Sequence, residues 1–286
     1  MIYGKSITEK AYAKINLFLD VTGKRDDGFH DILSVMQSIS LCDIITMSLE
    51  KYSGDHLTCN IDSIPTDGSN LVIKAVNAFR EHTGYDFGSK IHLEKNIPFS
   101  AGLAGGSSDA AAILRILCSL TGNDICTEKM LDIAAAIGAD VPFCFVGGTA
   151  MCEGKGEIVT PLDPCSELHL VVAIKGEGVS TPYAYSMLDN RYGDFSNGRE
   201  RKKANDLIIS LRNGDSKALV NGLYNIFETV IEKDRPEIVN IKNIMVNHGA
   251  QKALMSGSGP SVFGIFSNKN SAIETAHALK KYGASA

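Results

Sequence analysis

Across residues 11–21 apolar and polar positions alternate. Ala13, Ile15, Leu17, Leu19 and Val21 fall on one side, and Tyr12, Lys14, Asn16, Phe18 and Asp20 on the other. A period of two predicts a strand with one buried face. A turn follows at residues 23–28, then strand-like runs at 32–41, 44–49 and 57–61. Residues 70–82 change period, with Leu71, Ile73, Ala75, Val76 and Phe79 forming the apolar stripe of a helix. A short strand at 91–94 leads through a glycine-rich stretch to a second apolar helix at 110–120, and a third helix is predicted near 128–137. Gly138 to Pro142 end that helix and enter an apolar, strand-like run at 143–146.

The composition shifts at residues 161–167, a candidate domain junction. Beyond it the pattern predicts a buried strand at 168–174, short helices at 181–188 and 205–212, and a polar loop at 190–203. A helical stretch at 227–248 is interrupted at Pro236, because proline lacks the backbone N–H that the helix interior needs. A glycine-serine turn at 255–261 then feeds a strand at 262–266 and a closing helix at 271–282. Strands and helices mix without regular alternation, which favours an α+β class over a doubly wound parallel sheet. The expected division is residues 1–163 and 164–286.

With 286 residues, 44% of them hydrophobic, the chain can bury one large core or two ordinary domains. A net charge of −5 gives no basic footprint for nucleic acid, although a small anionic substrate remains compatible with it. Seven cysteines, odd in number and never spaced C-x-x-C, argue against a disulfide framework or a structural zinc site. They point to a reducing cytoplasm. The first thirteen residues lack an apolar signal core and no apolar run reaches eighteen residues, so a soluble, cytoplasmic chain without a membrane partner is expected.

Residues 97–109, Ile-Pro-Phe-Ser-Ala-Gly-Leu-Ala-Gly-Gly-Ser-Ser-Asp, carry the densest chemical signal. Gly102, Gly105 and Gly106 let the backbone turn tightly and approach a ligand without Cβ interference. Ser107, Ser108 and Asp109 are helix-starting residues. A glycine-rich turn that feeds a helix N-terminus presents unpaired N–H groups and a positive dipole end, which suit phosphate. Walker A is absent, since the Gly-Lys pairs at Gly4, Gly23 and Gly154 lack either the upstream glycine or the following hydroxyl. The protein-kinase motifs and a strand-linked G-x-G-x-x-G are absent too.

Three segments in order resemble the GHMP kinases: Ala13-Lys14-Ile15-Asn16-Leu17, the Pro-x3-Gly-Leu-x-Gly-Gly-Ser-Ser loop from Pro98, and Ser256-Gly257-Ser258-Gly259-Pro260. Within that superfamily, Gly23-Lys24-Arg25 continuing to Gly28-Phe29-His30, Asp109-Ala110-Ala111 and residues 138–142 resemble the branch that acts on a cytidine-diphosphate alcohol. The similarity runs over nearly the whole chain. It departs from the family pattern at Ala104, where glycine is frequent, at Phe29, where tyrosine is usual, and at residues 175–181, which lack a proline.

The resemblance implies a two-domain fold, with a ribosomal-protein-S5-like N-terminal lobe, a ferredoxin-like C-terminal lobe and the active site between them. It implies phosphorylation of the C2 hydroxyl of 4-diphosphocytidyl-2-C-methyl-D-erythritol by ATP with Mg²⁺, in a monomer or weak homodimer. Pro98, Phe99, Ser100, Ala101, Gly102, Leu103, Ala104, Gly105, Gly106, Ser107 and Ser108 would bind ATP, with Ser107 or Ser108 the candidate Mg²⁺ contact. Asp140 would be the catalytic base and Lys14 its partner. On residue chemistry alone, a turn-forming aspartate comes first for Asp140, and a solvated lysine is equally open for Lys14. Asn16, two residues on along the same face, would help position the substrate. Phe29, His30 and Tyr185, with Thr181, are the cytidine-side candidates; unaided, the two rings read as core and His30 as a satisfied loop histidine. A different alcohol kinase or a diphosphate decarboxylase on the same fold would have no reason for the Phe29-His30 pair. A non-catalytic nucleotide sensor would have no need of Lys14 and Asp140.

Overall fold

A long antiparallel hairpin, β1 (Ser6–Lys24) and β2 (His30–Glu50), is the spine of the fold. The two strand-like runs at 32–41 and 44–49 are one continuous strand. Its twenty-one residues are long enough for its second edge to serve two partners, β4 (Gly88–Glu94) along residues 44–50 and β5 (Thr149–Glu153) along residues 34–37. β3 (Asp55–Cys59) runs parallel to β4 because α1 (Leu71–Thr83) carries the chain back between them. Asn70 caps α1, its side chain accepting from the Val72 N–H at 2.9 Å. The computed structural model describes residues 1–51, 54–122, 127–165, 167–193, 195 and 201–286. Cys126, Ser166 of the expected junction, and 194 and 196–200 of the expected 190–203 loop lie outside them.

The expectation of one buried and one wet face on β1 is corrected. From Ala13 to Val21 every residue is buried, polar positions included. Register shifts between Tyr12 and Lys14 and between Asn16 and Phe18 break the alternation. Ala11, Leu19 and Val21 consequently join one core, while Ala13, Ile15, Leu17 and Phe18 join another. The first core surrounds α2 (Gly105–Thr121), which is buried along almost its whole length against β1, β2 and α1.

α3 (Thr127–Ile137) follows as expected. The apolar run beyond it is not a strand. It is the short helix α4 (Val141–Val146), in which Pro142 occupies the first turn, where a missing N–H costs nothing. β5 and β6 (Ile158–Pro161) form a hairpin on β2.

β7 (His169–Ala173), β10 (Val262–Phe266) and β9 (Ala250–Met255) make a second, three-stranded antiparallel sheet. α9 (Pro236–Asn247) and α10 (Lys269–Lys281) cover it. Between β7 and β9 the chain forms α5 (Thr181–Tyr192), α6 (Arg201–Asn213), α7 (Ser216–Gly222), β8 (Tyr224–Asn225) and α8 (Glu228–Ile231). α6 packs on β2, and β8 pairs in parallel with β1. The α+β class holds. No helix among the described residues is long and apolar enough to cross a membrane, and the six described cysteines are all free.

Candidate active site

The glycine-rich stretch is anchored before it turns. The N–H groups of Asn96 and Ile97 donate to one oxygen of Asp43, at 2.5 and 2.7 Å. The Lys95 ammonium bridges the other Asp43 oxygen and Asp109, the latter at 2.7 Å, with all three side chains nearly sealed from water. Burial pushes the Asp109 carboxyl up to about 7, with Lys95 opposing the rise and Asp43 adding to it. Asp109 Oδ1 has no hydrogen-bond partner. Sequence reasoning missed Asp43 and Lys95, which are fifty-two residues apart and carry no local signal.

The loop then packs against the turn that joins β9 to β10. Gly102 has φ +75°, and a Cβ there would run into the Ser256 carbonyl. Ser256 Oγ donates to the Gly102 carbonyl at 3.0 Å, and Ser261 Oγ donates to that of Ala101. Ala104 adopts φ 56° at the N-cap of α2. This left-handed conformation suits glycine, so alanine keeps the loop's shape at a cost of about 1 kcal/mol. No side chain caps α2. Its leading N–H groups therefore face outward beside a positive dipole end.

Lys14 and Asn16 emerge from β1 at this junction, 4% and 1% exposed. Lys14 Nζ donates to Asn16 Oδ1 at 2.7 Å, and the Gly257 N–H donates to the same oxygen at 3.0 Å. Asn16 Nδ2 donates to Ser34 Oγ at 2.9 Å, which in turn donates to the Phe18 carbonyl. The network fixes which way the amide points. Asp140 is half-buried at the N-cap of α4, yet its carboxylate makes no capping bond. Lys14 and Asp140 line one cavity of about 900 Å³, but the Lys14 hydrogen bond goes to Asn16 and no ion pair joins it to Asp140.

Gly102, Ala104 and Ser107 open onto this cavity. Ala101, Leu103 and Ser108 are buried behind it, while Pro98, Phe99 and Ser100 are exposed beside it. Ser108 Oγ is committed to the Tyr12 carbonyl at 2.5 Å. Gly105 and Gly106 lie at the first turn of α2, where a Cβ on Gly105 would sit 3.2 Å from the Lys95 ammonium.

Phe29, His30, Thr181 and Tyr185 line the same cavity. Phe29 is 58% exposed, with Lys155 Nζ 4.8 Å from its ring centre. His30 stacks on Tyr185 at 4.6 Å, and Phe195 meets its edge. Phe227 supports Tyr185 edge-on at 5.0 Å, and burial first, with Asp140 adding, pushes the tyrosine hydroxyl above its ordinary range. Thr181 Oγ1 meets Ser258 Oγ at 3.2 Å across the cleft. Sequence reasoning also missed Asp189, whose Oδ1 lies 2.7 Å from His30 Nε2. Its signal is present, because on a helix it falls one turn beyond Tyr185 on the same face.

The chain is similar to known proteins in sequence and fold. The GHMP kinases N terminal domain matches residues 70–148, and the GHMP kinases C terminal domain matches residues 207–285. A 4-diphosphocytidyl-2-C-methyl-D-erythritol kinase of Caldicellulosiruptor saccharolyticus is 44% identical over 275 residues, covering 96% of this chain and 92% of the relative. The chain belongs to the GHMP kinase family. A kinase of the same name from Clostridium perfringens is 42% identical over 90% of this chain and 88% of its own length. Among solved structures, a 4-(cytidine 5'-diphospho)-2C-methyl-D-erythritol kinase superposes with a TM-score of 0.78 at 30% identity, over 96% of both chains. Homoserine kinase from Cytophaga hutchinsonii reaches the same TM-score at 21% identity, covering 98% of this chain and 91% of its own, and shares the fold.

Proposed function

We propose that this GHMP kinase transfers the γ-phosphoryl group of ATP to the C2 hydroxyl of 4-diphosphocytidyl-2-C-methyl-D-erythritol. The products are ADP and the 2-phosphate, in the mevalonate-independent route to isoprenoid precursors. The observation that carries the reading is a single cavity with three chemically distinct walls: the uncapped start of α2, the Lys14–Asp140 pair, and the Phe29–His30 side.

Each wall has its own task. The unpaired N–H groups at the start of α2 hold the phosphates, and Gly102 lets the loop close against Ser256. Asp140, free of capping duty, accepts the proton of the substrate hydroxyl and aims its oxygen at phosphorus. Lys14 offsets the negative charge of the transferring group, and Asn16 holds Lys14 in place. Phe29 offers an open ring face to the cytosine, while Tyr185 and Thr181 shape the wall behind it. Mg²⁺ neutralises phosphate charge when bound. Ser107 is placed to contact it because it lines the cavity, whereas the Ser108 hydroxyl is spent on Tyr12. Free cysteines support a cytoplasmic setting.

An ADP-release assay over alcohols with and without a cytidine diphosphate group tests the reading, and turnover is expected only with the group present. Asp140→Asn keeps the side chain's size and removes the base. It should lower kcat about 10²-fold or more while ATP affinity is nearly unchanged. Near-parental kcat in that variant would reduce Asp140 to a turn residue.

A further inference from the structure

His30 is held from several sides, and the way it is held determines what its remaining nitrogen can do. Nε2 lies 2.7 Å from Asp189 Oδ1, and Lys24 Nζ donates to Asp189 Oδ2 at 2.6 Å. The imidazole stacks on Tyr185, and Phe195 meets its edge. Its other nitrogen, Nδ1, has no partner among the described residues and is not sealed from solvent, on a side chain that lines the cavity. Burial works against ionisation of Asp189, but hydrogen bonds from Lys24 and His30 prevail and keep its carboxyl below the usual range.

We propose that Asp189 is a specificity-determining positioning residue, which fixes His30 as the Nε2–H tautomer so that Nδ1 accepts from the exocyclic amine of cytosine and rejects uracil. An ionised carboxylate can only accept, so the imidazole hydrogen must sit on Nε2. Nδ1 then presents a lone pair to the cavity. Cytosine carries an N4–H₂ donor where uracil carries the O4 acceptor, so one base gains a hydrogen bond and the other meets lone-pair repulsion. Lys24 completes the device. Its ammonium holds Oδ2, and that leaves Oδ1 directed at the imidazole Nε2. Lys24 and His30 face each other in the β1–β2 register, and Asp189 comes from α5, so a single carboxylate sets both ring orientation and tautomer across the cleft.

The inference rests on the cytidylyl reading of the substrate. The test compares kcat/KM for the 4-diphosphocytidyl alcohol and its uridylyl counterpart, in the parent and in Asp189→Asn. The asparagine amide can turn its NH₂ towards Nε2 and release the tautomer. The cytidylyl-to-uridylyl ratio should therefore fall about ten-fold or more, carried by KM, with kcat for the cytidylyl alcohol and KM for ATP changed less than about two-fold. An equal rise in both KM values, or an unchanged ratio, overturns the inference and leaves the function intact. ¹⁵N spectra of His30 in the parent protein read the tautomer directly and do not depend on how the variant folds. A bare Nδ1 and a protonated Nε2 support the assignment, and a protonated Nδ1 sinks it. A parent that turns over another alcohol but neither uridylyl nor cytidylyl substrate fails the functional reading itself, and this inference falls with it.

Discussion

Beneath the start of α2 a lysine sits between two aspartates, Lys95 with Asp43 and Asp109, and beside Tyr185 an aspartate sits between two bases, Asp189 with Lys24 and His30. The first trio is almost wholly buried, its side chains 5%, 0% and 4% exposed, whereas in the second only His30 is buried, at 5%, with Lys24 51% and Asp189 26% exposed. Water decides what each arrangement does. In the dry cluster each charge depends on its neighbours, and Asp43 also binds the two N–H groups that launch the glycine-rich loop. In the wetter cluster screening leaves little energy in the Lys24–Asp189 pair, and geometry is what remains: which way the His30 ring points and where its hydrogen sits.

The most severe way to break this contrast is Lys95→Met. It leaves Asp43 and Asp109 facing each other without a cation, and stability should drop by about 3–5 kcal/mol. Lys24→Met should change it by less than about 1 kcal/mol, as expected of an exposed pair. Urea unfolding of both variants measures the difference. Equal losses would mean that the two clusters are energetically alike.

One of these regions is far more legible in the sequence than the other. The glycine-rich loop is visible because its needs are local: glycine at Gly102 for a positive φ, and helix-starting residues at the head of α2. The charge cluster below it is invisible, since Asp43 and Lys95 meet only because β2 and β4 pair in one particular register. Alternation puts Lys14 and Asn16 on the correct strand but on a supposedly wet face. The register shifts that bury them arise from tertiary pairing, which an alternation pattern does not encode. The family resemblance, rather than its neighbours in the chain, draws attention to Asp140, and Phe143 to Val146 read as strand. Six apolar residues are too few for periodicity to separate strand from helix.

Asp109→Asn sharpens the comparison through pH. The Asp109 carboxyl is pushed up to about 7 in the fold from an ordinary 3.8. Between those values the folded protein holds a proton that the unfolded chain has released, so this group's contribution to stability declines as pH rises from about 4 to about 7. Asparagine cannot ionise and leaves Lys95 paired with Asp43 alone. The variant should match the parent near pH 4, if the amide fits as the protonated acid does, and gain on it as pH rises. Denaturant titrations at several pH values follow this difference. A difference that stays flat with pH would show that Asp109 remains ionised throughout, held by Lys95.

The smallest effect belongs to the wet wall. Phe29 is exposed and packs under Lys155, so its removal should leave the fold intact, with a melting temperature close to the parent's. Its open ring face is what a base can stack on, and such a face contributes roughly 1–3 kcal/mol per base in single-strand binders. Phe29→Ala should therefore raise KM for the cytidylyl alcohol about ten-fold, which corresponds to about 1.4 kcal/mol, while KM for ATP stays within about two-fold. Phe29→Tyr keeps the ring and should be nearly silent. Steady-state kinetics on the two variants separates stacking from support. If alanine lowers kcat and leaves KM alone, Phe29 acts on the transfer step, and its assignment to base stacking does not hold.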